Sequence, residues 1–316
     1  MNGSSQSQTA VLLMAHGTPD RVEEVPEFLL QVTGGRQLPP AVVEEIQHRY
    51  SLIGRSPLTE FTLKQAQALG AELRLPVYVG MRNWKPFIGD TVGKMKADGV
   101  QRAIAICLAP HDSRTSVGLY RKAVLGEGGD PPFAVEFIDN WHDHPLLIRA
   151  FAERLRLGWE RACREMDARV PIIFTAHSVP KRTIDEGDSY EQQARETAAL
   201  VAMDVPALAV DDWTFAFQSQ GMSGGAWLGP TVEETILQLK AKGHGGVFIQ
   251  PIGFLCDHVE VLYDVDILFR EFAQKNGMKL WRAESLNESP ILVAALADVA
   301  RSRLEVSKPL AKLRAQ

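Results

Sequence analysis

Short apolar runs that stop at small or turn-forming residues alternate along this chain with longer stretches whose apolar positions recur every three or four residues. Runs of the first kind read as buried strands of parallel sheets, and stretches of the second kind as amphipathic helices. Strands are expected at residues 11–15, 77–79, 103–108, 134–138, 171–176, 213–217, 247–251 and 279–282. Helices are expected at 23–32, 41–50, from Ser56-Pro57 through Leu73, within 84–99, and at 145–166, 190–203, 231–242, 257–274 and 290–306. Residues 110–118 read as a polar loop and 126–132 as the most turn-rich segment. Such alternation requires parallel sheets joined by right-handed crossovers, an α/β fold.

The pattern occurs twice. VLLMAHGTPD near the start and PIIFTAHSVPK in the middle both run from apolar strand to Ala-His, a small residue, a variable position and Pro. Residues 84–99 match 227–243, with Asp90, Lys96 and Gly99 meeting Glu234, Lys240 and Gly243 at one constant offset. The expected architecture is therefore two halves related by duplication, residues 1–143 and 144–316. His16 and His177 sit alike at strand carboxyl ends, the edge where open α/β sheets bind ligands. The stretch from His16 to Trp84 is much longer than that from His177 to Trp227. The excess, at about residues 20–58, exceeds an ordinary loop and reads as a lip over that edge.

Composition narrows the class. A hydrophobic share of 45% with 23% charged residues is that of a globular enzyme, and a net charge of −5 offers nucleic acid or an anionic membrane no attraction. Cys107, Cys163 and Cys256 lie in separate elements without CxxC spacing, which argues against a disulfide framework and a closed zinc site. The polar N-terminal tail resembles no signal peptide, and no apolar run reaches the ~18 residues of a membrane span. A soluble, cytoplasmic protein is expected.

Chemistry is suggested by FLCDHVEVLYDVD, residues 254–266. On one continuous helix Asp257, Glu260 and Asp264 share a face. The alternative is a capping box from Asp257 and Glu260, with Asp264 an exposed charge. An imidazole at one strand end facing a carboxylate beyond another can bind a divalent cation or take protons near neutral pH. A histidine at a strand end can also be merely structural. A Gly-rich phosphate loop is missing from the sequence, and the glycines of 80–89 and 221–225 lack dinucleotide spacing.

TAHSVP, EGDSYEQQ, FAFQSQG with WLGP, PIGFLCDHVEVLYDVD, AHGTP, YSLIGRSPL, GMRNWKPFIGDTV and LAPHDSRTSVG occur in an order that resembles the ferrochelatase family over nearly the whole chain. The resemblance implies two Rossmann-like halves around a porphyrin cleft. It implies a lyase of haem biosynthesis that inserts Fe2+ into a free-base porphyrin, protoporphyrin IX or coproporphyrin III, without an organic cofactor. His177 and Glu260 become the expected catalytic and metal-binding pair, and Asp264 a further metal residue one turn on. His16, Arg36, Arg49, Arg55, Ser113 and Arg114 are the expected porphyrin-binding residues. The partners implied are porphyrin and ferrous iron, with transient contact to neighbouring haem-pathway enzymes. The chain departs from the pattern at His16, where a tyrosine can stand, and at residues 33–36, Thr-Gly-Gly-Arg in place of Arg-Arg-Gly-Arg. It departs also at Leu268, where a third acid can occur, and at Asp112, where an aromatic residue is usual. Two other readings stay open: a haem-handling protein, since histidine is a strong axial ligand, and a cobalt or nickel chelatase of a related tetrapyrrole.

Overall fold

The computed structural model describes residues 8–126, 128–220 and 225–306. The N-terminal tail, part of the turn-rich 126–132 segment and most of the 221–225 glycines lie outside the described residues. Among the described residues, eight strands form two four-stranded sheets, all pairings parallel. The first is ordered β2-β1-β3-β4, with β1 at Thr9–Ala15, β2 at Val77–Met81, β3 at Arg102–Cys107 and β4 at Ala134–Ile138. The second repeats it as β6-β5-β7-β8, with β5 at Ile172–His177, β6 at Trp213–Gln218, β7 at Gly246–Pro251 and β8 at Lys279–Arg282. Both β1 and β5 are central strands, buried along their length, which is why their sequences are unbroken apolar runs rather than alternating ones.

Three helical layers cover these sheets. α4 (Ile88–Ala97) and α5 (Val117–Leu125) close the outer face of the first through Ile88, Met95, Val117 and Tyr120. α9 (Val232–Ala241) and α11 (Arg270–Lys275) close the outer face of the second through Val232, Ile236 and Ala273. Thr231 and Glu234 form a reciprocal capping box that fixes where α9 begins. Between the sheets lie α3 (Leu58–Leu73), α6 (Pro145–Met166), α8 (Tyr190–Met203) and α12 (Pro290–Val306), whose apolar faces join both halves in one core. Phe151 on α6 is at the heart of it, 1% exposed, and truncation to Ala costs ~3–5 kcal/mol at such a site.

Residues 22–53 form the lip. A 3-10 turn, Val22–Glu24, leads into α1 (Val25–Val32) and α2 (Pro40–Ile53). Val25, Phe28, Leu29 and Tyr50 pack on Trp84, and Val259 of the second half joins them, so the lip reaches across the ligand edge. Gly17 lets the end of β1 lie close against the end of β2 and Trp84, on which the lip rests. Its φ is +81°, and a Cβ there would lie 2.9 Å from both the Met81 Cβ and the Trp84 amide nitrogen.

Candidate active site

β5 carries His177 to the cleft, where its Nδ1 donates to the Ser178 carbonyl. In the neutral ring this leaves the Nε2 lone pair facing outward. Opposite, Glu260 belongs to α10 (Val259–Leu262), which begins beyond β7. Its Oε2 is 3.6 Å from His177 Nε2, and the two side chains are 33% and 34% exposed, open enough to meet a ligand. His258 donates Nδ1 to the Cys256 carbonyl at 3.0 Å and holds Nε2 4.0 Å from the same Oε2. Two imidazole Nε2 atoms and a carboxylate oxygen thus converge, with no donor among them when both rings are neutral, and Glu260 Oε2 is buried without a hydrogen-bond partner. Burial pushes the Glu260 pKa up, but His177, His258, His16 and Arg49 outweigh it and hold the carboxyl below its usual range. Burial also lowers the pKa of His258.

The pair is held from behind. Gln218 donates its amide to the Glu260 carbonyl at 3.0 Å and accepts from the Thr175 hydroxyl at 2.5 Å. The Tyr190 hydroxyl donates to the His177 carbonyl at 2.9 Å. Beyond Tyr263 the helix widens into a π turn, Asp264–Phe269, with the Leu268 amide donating to the Tyr263 carbonyl at 2.9 Å. π turns recur at functional sites because the extra residue redirects side chains. Here Asp264 is buried, accepts from the Ser219 hydroxyl and lies 3.8 Å from Arg49. Burial raises its pKa to about 6. It lines a cavity of about 380 Å³ with Arg49, Ser219, Gln220, Glu233 and Leu268.

The Ferrochelatase family model matches residues 8–304. The chain belongs to the ferrochelatase family. It is 53% identical to a ferrochelatase of Acidobacterium capsulatum, covering 95% of this chain and 96% of that one. It is 33% identical to a coproporphyrin III ferrochelatase of a Geobacillus species, covering 96% and 100%. Among solved structures, SirB from Bacillus subtilis with Fe3+ shares the fold at a TM-score of 0.57 and 11% identity, covering 93% of this chain and 95% of that one.

Set against the ferrochelatase pattern, His177, Glu260 and Asp264 lie in one neighbourhood, and His258, within the same motif, is a member that sequence reasoning passed over. Asp257 is a correction. It precedes the helix rather than sharing its face, because Ser285 and Asn287 donate to it at 2.7 and 2.9 Å and Arg282 lies 3.3 Å away. No capping box forms, since His258 occupies the N-cap position. Arg282 also grips Asp266 through two bonds of 2.9 and 2.8 Å, so these acids form a strut under the site.

The other expected contacts divide. Arg49 stacks 5.1 Å over the Tyr263 ring and pairs with Glu45 at 3.0 Å. Arg114 pairs with Glu186 at 3.1 Å, and its amide donates to Asp188, as does the buried Ser113 hydroxyl. Asp188 in turn accepts from the Tyr190 amide, so the 110–116 loop braces the His177 side of the site. Arg55 pairs with Asp20 at 3.2 Å where the chain enters and leaves the lip, and Arg36 is exposed. His16 donates Nδ1 to the Gly17 carbonyl at 3.0 Å, and its Nε2 lies 2.9 Å from the Asn83 amide nitrogen. Burial and the Arg82 charge lower its pKa to about 4, so the ring is neutral and Nε2 accepts from Asn83.

Proposed function

We propose that the protein inserts Fe2+ into a free-base porphyrin, with His177 and Glu260 as the groups that receive the two pyrrole protons. The observation that carries this reading is the unpartnered, buried Glu260 Oε2 facing the His177 Nε2 lone pair. Two acceptors that close, without a proton between them, suit a site through which a cation and protons pass. Insertion balances without redox chemistry: Fe2+ enters, two N–H bonds break, and the protons go to imidazole and carboxylate. Neutral imidazole and ionised carboxylate are the forms that can accept them near neutral pH. Asp264 and the cavity beside it form the proposed route by which iron arrives. A mixed N/O set holds Fe2+ weakly enough to release it to four pyrrole nitrogens.

The lip and Trp84 form the proposed wall against the macrocycle. Arg36 and Arg55 are the proposed propionate contacts of its rim, Arg49 a brace on the iron route, and Ser113 and Arg114 supports of the His177 wall. His16 is proposed as a wall residue in contact with porphyrin, not an iron ligand, because Asn83 occupies its lone pair. The free thiols of Cys107, Cys163 and Cys256 suit a reducing compartment such as the cytoplasm. No helix among the described residues is long and apolar enough to cross a membrane. The test is an anaerobic mixture of Fe2+, porphyrin and catalytic amounts of protein, followed by visible absorption. Free-base bands giving way to haem bands faster than in the protein-free control is the expected result, and an equal rate would overturn the reading.

A further inference from the structure

The strands that deliver His16 and His177 differ two residues before the histidine. β5 carries Thr175 there and β1 carries Met14, both buried. A hydroxyl at this place is no requirement of the fold, since the repeat builds the same strand with a thioether. Buried polar groups persist where they find partners, and Thr175 finds Gln218. Gln218 ends β6 in register with His177 and is 2% exposed. Its counterpart in the first half, one step beyond the Ala15–Met81 pairing, is Arg82, whose guanidinium stacks instead on the Tyr120 ring of α5. The link therefore belongs to the second half. The Glu260 carbonyl can only accept, so Gln218 turns its amide nitrogen to it at 3.0 Å, and the amide oxygen accepts from the Thr175 hydroxyl at 2.5 Å.

The link joins three elements at the pair. Thr175 stands two residues before His177 on β5, Gln218 lies beside His177 on β6, and Glu260 belongs to α10, a helix of four residues. So short a helix, running straight into the π turn, does not fix its own place. The next residue of the chain adds a second hold: Ser219, in the left-handed region at φ +58°, donates to Asp264, one turn beyond Glu260. Gln218 grips the backbone of the residue that carries the carboxylate, whose Oε2 stands 3.6 Å from His177 Nε2. Thr175 and Gln218 are too deeply buried to meet a substrate, so any part they play in the reaction passes through Glu260. We propose that Gln218, backed by Thr175, is a positioning residue for insertion: it sets the Glu260 carboxylate against His177 and governs the chemical step rather than substrate capture. This rests on the insertion chemistry proposed above.

The test is a double-mutant cycle on anaerobic Fe2+ insertion, with wild type, Gln218→Met, Glu260→Gln and the double variant measured at steady state. Gln218→Met keeps the length of the side chain and removes both hydrogen bonds. It should lower kcat by ~10–100-fold, the cost of a misplaced reacting group, with the KM for porphyrin nearly unchanged. In the Glu260→Gln background the same change should add little, because the group it positions is already gone. Thr175→Val should give a smaller loss of kcat, and Thr175→Ser, which keeps the hydroxyl, almost none; this pair carries the test if Gln218→Met does not fold. An unchanged kcat, a loss carried by KM, or the same fold-loss in both backgrounds would overturn the proposal, the last being what a merely structural role gives. Co2+ titrated without porphyrin and followed by its visible absorption reads the pair without turnover. A spectrum lost in Glu260→Gln and altered in Gln218→Met is expected, and one that Gln218→Met leaves unaltered would overturn the positioning. Wild type that fails to insert iron while its Co2+ spectrum still depends on Gln218 would sink the insertion chemistry alone.

Discussion

His16 and His177 end the same strand in the two repeats, and both donate Nδ1 to the next carbonyl of their own chain. The difference lies at Nε2. In the first half Asn83 reaches back from the end of β2 and occupies it at 2.9 Å. In the second half the residue that follows β6, Ser219, turns away to Asp264, and Nε2 of His177 faces Glu260 across 3.6 Å. The repeat thus holds two imidazoles at matching strand ends, and one hydrogen bond, from Asn83, separates their Nε2 atoms. The second half also has the strut of Arg282, Asp266 and Asp257 beneath its carboxylate. The first half has instead a lip, and a half-buried arginine, Arg82, whose Nε and Nη1 have no acceptor among the described residues.

The comparison breaks most visibly at Glu260. Glu260→Gln keeps the shape and removes the proton acceptor, so insertion should fall by ~10²–10⁴-fold while porphyrin affinity, read by fluorescence titration, is preserved. A variant keeping half of wild-type turnover would show that the carboxylate is not the acceptor. The strut comes next. Arg282→Met leaves the half-buried Asp257 and Asp266 without their cation and should cost ~2–3 kcal/mol, measured by chemical denaturation. A loss of a few tenths would mean that the ion pairs are incidental.

Asp264 gives a smaller effect with a pH signature. Its folded pKa, about 6, lies above the ordinary aspartate value, so the charged form is lost as pH falls through about 6. The KM for Fe2+ should therefore rise as pH drops through that point, while the Asp264→Asn variant shows a KM raised by ~10-fold and flat with pH. Steady-state kinetics with iron varied at saturating porphyrin decide it. Parallel pH profiles for the two proteins would remove Asp264 from the iron route. The same pKa makes Asp264 a pH-dependent cost to folding: the protonated form is favoured in the fold, so its contribution is present near pH 4 and lost as pH rises through 6. Asp264→Asn should flatten that part of a stability-versus-pH curve.

The repeated strands and the order of elements were legible in sequence because central parallel strands are unbroken apolar runs. α5 was not read. Its buried positions, Val117, Tyr120 and Val124, do recur at helical spacing, but Gly118 and the polar loop before it masked the start. The break between Asp257 and the π turn was invisible for a different reason. Ser285, Asn287 and Arg282, distant in sequence, draw Asp257 away, and tertiary contacts of that kind override a periodic pattern. His258 sat inside a quoted motif, yet only coordinates show its Nε2 turned to Glu260. The arginines illustrate the limit best: sequence offered several as bare cations, and Arg49, Arg55 and Arg114 prove to be paired, whereas Arg82, which drew no notice, has two donors open.

The central claim, that one of two equivalent histidines is the base because its lone pair is free, is tested most directly by single-turnover insertion in His177→Ala and His16→Ala side by side. Porphyrin is bound first and Fe2+ mixed in anaerobically, so that substrate capture does not enter. The account predicts that His177→Ala slows the step by ~10²–10⁴-fold while His16→Ala changes it by less than about tenfold. Comparable losses in the two variants, or a larger loss in His16→Ala, would contradict it.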